Sequence, residues 1–247
     1  MAVSVLPTCL VVSIVPPYEQ LSGESQEGTG RQAEQLCALL EKHRMVATWG
    51  IPLESFLAMP NSLEHELALL GEDAFIASAG RAGFSQHLSR QLSHANANGI
   101  LIGSIVLTPD AEVRNADLLI KNGMRAIAVR SLGPCRGERP VDQIRWGLWK
   151  LRPTTVIRNA SGWLPSRLER QVHASIGEHR MVHLQIELAK SAMAGRDLLG
   201  IADRVLGQVS DLRAKYRLEN ISLSALANEL ALGKKSRSTE SILRRVA

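Results

Sequence analysis

Cys9-Leu10-Val11-Val12-Ser13-Ile14-Val15, closed by Pro16-Pro17, decides how the rest of the chain is read. It is an apolar run of strand length, bounded by residues that cannot donate to a sheet ladder. A helical pattern follows at 31–43, with Ala33, Leu36, Leu39 and Leu40 on one face. The alternation then recurs. Apolar runs at 45–49, 100–107, 125–129, 154–157 and 181–188 read as strands, and 83–98, 111–122, 141–150, 163–176 and 196–216 as helices. Strand three is supplied by 65–70 or by 74–78, with Pro60 breaking any long helix before it. A closing helix at 222–230 takes Ser222 or Ser224 as its cap. Seven apolar runs alternating with helical stretches are the signature of repeated βα units, hence of a parallel sheet or barrel. Such folds carry their chemistry at the carboxyl ends of the strands.

At 247 residues and 45% hydrophobic, the chain suits one α/β domain with a substantial core. Aromatic residues make up only 4%, which argues against a base-stacking nucleic-acid platform. The formal charge of +5 permits an anionic partner without requiring one. Part of it lies in a basic tail, 233–247, at Lys234, Lys235, Arg237, Arg244 and Arg245. Cys9, Cys37 and Cys135 are odd in number and far apart, so neither a disulfide framework nor a thiolate metal site fits them. The first apolar run stops at Pro16, far short of a membrane span. A soluble cytoplasmic protein is expected, without specific nucleic acid or membrane partners and with its oligomeric state open.

Common catalytic motifs are absent. Gly28-Thr29-Gly30-Arg31-Gln32-Ala33 fits a loose dinucleotide fingerprint, but about a dozen residues separate it from the strand that should precede it. His179 and His183 are spaced i, i+4, yet the context is a turn entering a strand, where four residues span about 13 Å.

Several phrases resemble the polysaccharide deacetylase (NodB-homology) family. They are 39–49, ending Ala47-Thr48-Trp49; His65-Glu66-Leu67-Ala68-Leu69-Leu70-Gly71; Asp117 to Met124; and 206–230, with Ser222-Leu223-Ser224-Ala225-Leu226-Ala227. Together they are spread over most of the chain, from 39 to 230, in the family's order. The resemblance implies a single-domain α/β fold over 1–232, a distorted (β/α)7 barrel with parallel strands. It also implies a metal, usually zinc, held by one aspartate and two histidines, with a second aspartate as base and a later histidine as acid. Here the positions for those groups depart from the pattern. Strand one ends in Ile14-Val15-Pro16-Pro17, with no acid before Glu19, and the histidine positions are Leu70 and Ala74. The arginine expected after strand four is missing from Val106-Leu107-Thr108-Pro109. No metal and no cofactor are therefore expected.

Cations after the strands, Arg81, Arg130, Arg136, Arg139, Arg158 and Lys190, outnumber the acids Glu19, Asp110 and Glu187 there. Clustered arginines clamp carboxylate or phosphate. Arg81, Arg130, Arg136, Arg158 and Trp163 are the candidate ligand-binding residues, with Trp163 placed to stack on a sugar. The expected function is that of a catalytically degenerate deacetylase-like protein, binding or regulatory, with a carbohydrate or other anionic ligand at the mouth. The alternative is a hydrolase of acylated carbohydrate built on His183, Glu187, Glu19 and Asp110 without the family's metal triad.

Overall fold

A computed structural model of the chain describes residues 8–17, 26–60, 62–71, 80–107, 113, 115–130, 139–145, 147–158, 165–179, 181–189 and 192–232. Its backbone is organised by one long parallel pair. Strand β1, Cys9–Val15, is buried throughout and runs beside β10, Met181–Glu187, in seven rungs from Cys9↔Met181 to Val15↔Glu187. β2 (Thr48–Trp49) and β3 (Glu66–Leu67) extend this sheet on one side and β9 (Thr155–Ile157) on the other, giving the order β3-β2-β1-β10-β9. A short β11, Glu219–Asn220, pairs with the start of β1.

The second sheet has the order β4-β5-β6-β8-β7, built from Leu69–Gly71, Ser104–Leu107, Ala126–Val129, Leu148–Leu151 and Val141–Arg145. Only Ala68 separates β3 from β4, so one strand passes from the first sheet to the second. At the opposite edge β8 and β9 follow one another in sequence, but no ladder joins them among the described residues. The architecture is thus a mixed α/β fold with two largely parallel sheets joined at β3–β4, and among the described residues no ladder closes them into the expected barrel.

The helices are α1 (Gln26–Lys42), α2 (Leu53–Leu57), α3 (Arg81–Ala97), α4 (Ala116–Lys121), α5 (Pro165–His179), α6 (Ala192–Tyr216) and α7 at 223–232. Most expected elements recur within a few residues, and 65–70 supplies the third strand. The alternative at 74–78 lies outside the described residues, as do the tail at 233–247 and Cys135.

Two readings need correction. The segment 141–150 is a β-hairpin and not a helix: β7 and β8 pair antiparallel, with Gln143 opposite Trp149. Gly147, at φ +81, turns the chain in a backbone region that other residues rarely enter. Apolar residues three apart imitated a helical stripe while equally fitting period-two strands around a turn. The first helix begins at Gln26 and not at 31, so Gly28 and Gly30 lie inside α1 rather than in a loop ahead of it.

Alternate strand residues serve two cores. Leu10, Val12 and Ile14, with Val182, Leu184 and Ile186, pack outward with Leu36 and Leu40 of α1 and Leu206 of α6. Cys9, Val11, Val15, Val106, Ala128 and Leu151 face inward, where Leu223, Leu226 and Leu230 of α7 join them. Ser222 caps α7, its hydroxyl accepting from Ala225 N at 3.4 Å. Glu66 adds a second restraint: its carboxylate accepts from Ser224 N at 3.1 Å, Thr48 Oγ1 at 3.1 Å and Ser104 Oγ at 2.5 Å. The positive helix terminus thereby meets a carboxylate held by two strands. α7 closes the amino-terminal end of the strands and leaves the carboxyl ends as the available face.

Gly50 reports how tightly the inner faces meet. A Cβ there would lie 2.7 Å from Val106 Cγ2, a buried β-branched methyl. Gly50→Ala is expected to lower stability by about 1–3 kcal/mol. Val106→Ala in the same chain should recover part of that loss, measured by urea unfolding of the two single variants and the double. Strictly additive losses would contradict the packing of β5 against the end of β2.

Candidate ligand site

The inner face of β10 carries Met181, His183, Gln185 and Glu187, an apolar-to-polar progression toward the strand's carboxyl end. Each stands on a rung with β1, so Gln185 lies beside Ser13 and Glu187 beside Val15. Successive residues on one face are about 7 Å apart along the strands. The result is a polar column rising from the inner core to the mouth.

At its base, His183 Nε2 and Ser13 Oγ lie 2.9 Å apart, and both residues are 1% exposed. Thr154 locks the backbone there, its Oγ1 accepting from His183 N at 3.0 Å and its N–H donating to His183 O at 2.9 Å. Burial pushes the imidazole pKa down to about 4, against a smaller opposing effect of the Arg152 backbone. The ring is therefore neutral at neutral pH. A hydroxyl beside an imidazole is the geometry of an activated nucleophile, but this imidazole is a weak base sealed from solvent.

The top of the column is charged. Arg158, just beyond β9, places Nε 2.8 Å from Glu187 Oε2, a close ion pair rather than an aligned hydrogen bond from that nitrogen. Arg130, just beyond β6, is only 4% exposed and donates from Nη2 to Pro16 O at 2.6 Å. Pro16 follows Val15, the rung partner of Glu187, so both guanidiniums reach the same end of β1. Gln32 of α1 secures the segment beyond Glu187: Ala189 N donates to its Oε1 at 2.9 Å, and its Nε2 donates to Ala189 O at 3.2 Å. This buried amide acts like a neighbouring strand and fixes where β10 ends.

Of the residues anticipated from sequence, His183, Glu187, Arg130 and Arg158 thus share the column or its mouth. Arg81 does not join them. It pairs with Asp117 across the starts of α3 and α4, with Nη1 donating to Oδ1 at 3.1 Å. Each partner holds the other charged, lowering the Asp117 pKa and raising that of Arg81. Arg139 is exposed ahead of β7, where its carbonyl accepts from Arg152 Nη1 at 3.0 Å. Glu19, Asp110, Arg136, Trp163 and Lys190 lie outside the described residues, as do Ala74 and Trp146. Trp149 is buried on β8.

Ser13 and Gln185 were passed over in the sequence, although a polar residue within each apolar run marked them. His65, near the expected histidine positions, is spoken for: Ala47 N donates to its Nδ1 at 3.3 Å and Cys37 Sγ lies 3.4 Å from Nε2. Burial lowers the His65 pKa and raises that of Cys37 to about 11, so the pair is neutral.

A deacetylase-type metal does not fit the described residues. β1 ends in Val15 and Pro16, β4 offers Leu70, and no three His, Cys, Asp or Glu side chains converge to hold an ion among the described residues. A separate cleft of about 280 Å³ lies on the outer side of β3–β4, between α2 and α3. It exists because α2 is a single short turn that cannot cover those strands. Its rim, His87, Gln91 and His94, is exposed and belongs to no strand end.

These elements define a parallel α/β scaffold with a polar, arginine-flanked site at its strand carboxyl ends. Among solved structures the chain is similar to the 4-alpha-glucanotransferase of Thermococcus litoralis, at TM-score 0.56 and 9% identity over 89% of this chain and 39% of that one. It thus spans well under half the length of that enzyme, and the likeness is one of fold. It is also similar to a proposed polysaccharide deacetylase involved in O-antigen biosynthesis from Bordetella bronchiseptica, at TM-score 0.48 and 12% identity over 86% and 90% of the two chains. No protein-family profile and no curated protein matches the sequence. No helix among the described residues is long and apolar enough to cross a membrane.

The buried imidazole makes stability depend on pH with a definite sign. Its folded pKa of about 4 lies below the ordinary value of 6.5, so the unfolded chain binds a proton that the folded chain refuses. The stabilisation is complete above pH 6.5 and fades as pH falls toward 4, by up to about 3 kcal/mol. His183→Gln should flatten this acid limb, measured by urea unfolding at pH 7 and pH 4.5. Equal slopes in both proteins would show that His183 is not sealed.

Proposed function

We propose that this chain binds a small carbohydrate or other anionic ligand at the carboxyl ends of β1, β6, β9 and β10, and that it is not a metal-dependent deacetylase. The observation that carries the reading is the convergence of Arg130 and Arg158 on the end of β1, beside Glu187. Guanidinium groups held by packing lose little entropy when they take a planar anion, and their fork matches carboxylate or phosphate oxygens. The neutral groups beneath, Gln185 and Ser13, are buried and form the floor of the mouth.

A second reading, hydrolysis of an acylated carbohydrate without metal, draws on the 2.9 Å contact between Ser13 and His183. It is the weaker one. Both groups are buried, and a pKa near 4 leaves the imidazole a poor general base at neutral pH.

The test is a thermal-shift screen of neutral and anionic sugars, followed by titration calorimetry on the best ligand. Arg158→Gln should weaken an anionic ligand about 10- to 100-fold, the worth of one charge-assisted contact, while melting near the wild-type temperature. Undiminished affinity in that variant would sink the site. Release of acetate from acetylated oligosaccharides, lost in Ser13→Ala, would favour the hydrolase.

A further inference from the structure

We infer that Glu187 is a built-in competitor for the ligand's anionic group, and that this group is a carboxylate. The inference rests on the ligand-site reading of the mouth and deepens it.

The Arg158–Glu187 pair stands where solutes can reach it. The Arg158 side chain is 30% exposed and that of Glu187 14%, whereas Ser13 and His183 below are sealed. Arg130 brings a second guanidinium to Pro16 O, one residue past the Val15–Glu187 rung. Among the described residues, two guanidiniums and one carboxylate therefore meet near the end of that rung. A carboxylate ligand matches that side chain in shape, charge and geometry toward a guanidinium. Gln185 and Ser13 form the next rung inward, on the same face. Both are buried, at 1% exposure for Ser13 and 2% for Gln185, so the exchange is confined to the Arg158–Glu187 pair above them.

The ligand carboxylate takes the place of Glu187 at Arg158, and Glu187 turns toward solvent. Only ionic partners are exchanged, with no covalent change and no net charge added to the buried layer. The exchange has a cost, because the incoming group must displace an existing ion pair. Neutralising Glu187 therefore strengthens binding, the opposite of what a contact residue or catalytic carboxylate would show.

The experiment is calorimetric titration with D-glucuronate at pH 7, with glucose and inorganic phosphate as comparison probes. The proteins are wild type, Glu187→Gln, Glu187→Asp and Arg158→Gln, each checked for folding by circular dichroism. Glu187→Gln is expected to bind glucuronate at least about fivefold more tightly than wild type, and Arg158→Gln at least about tenfold more weakly. Glu187→Asp, which withdraws the carboxylate by one methylene, should fall between wild type and Glu187→Gln. If the glutamine variant does not fold, the aspartate variant carries the comparison, and tighter binding by it is the supporting result.

Glucuronate binding that is equal or weaker without Glu187 overturns the competitor role; the mouth as an anion site then still stands if Arg158→Gln weakens binding. Phosphate bound in preference to glucuronate overturns the carboxylate assignment alone. No binding of any probe by any of the proteins overturns both this inference and the ligand-site reading.

Discussion

The seven-rung pairing of β1 with β10 joins residues about 170 positions apart in the chain, and the positions of the other elements follow from it. Both strands are buried on both faces, so their backbone groups must find partners in the sheet. Register is correspondingly strict. A slip of one residue would move His183, Gln185 and Glu187 to the helix-packed side and turn Val182, Leu184 and Ile186 inward. The fixed register instead stacks the polar residues above an apolar base, ending at the two guanidiniums. Thr154 and Gln32 hold the two ends of that column through the backbone of β10.

Much of this was legible in the chain. Cys9–Val15 and Met181–Glu187 read as strands from their apolar runs and flanking breakers, and most helices from their spacing. Ser222 or Ser224 read as a cap from its place ahead of an apolar helical stripe, and Ser222 takes that role. What the sequence could not convey was pairing across distance. Glu66 illustrates this: it reads as an ordinary charge, yet it reaches Thr48, Ser104 and Ser224 in three other parts of the chain. The 141–150 hairpin was misread because Gly147 carries the information in its backbone angle, and a three-residue apolar spacing is compatible with either structure. Arg81 sat after a strand as expected, but Asp117 claims it, a contact that no local pattern announces.

The chemistry of the mouth follows from the same geometry. A deacetylase site would need carboxylates and imidazoles directed at one point above the strand ends. Here the described strand ends supply an apolar residue and prolines on β1, a leucine on β4, and guanidiniums after β6 and β9. The one strand-borne imidazole among the described residues, His183, is buried four rungs below Glu187 and neutral at neutral pH. Among the described residues this arrangement favours the proposed reading, in which the mouth binds and orients charge.

The most direct check of that account is elemental analysis of the protein, grown and purified without chelator. Ligand binding without metal chemistry predicts less than about a tenth of an equivalent of zinc, iron, cobalt or nickel per chain. A near-stoichiometric transition metal would contradict it. Metal-assisted acyl hydrolysis would then replace ligand binding as the reading of the mouth.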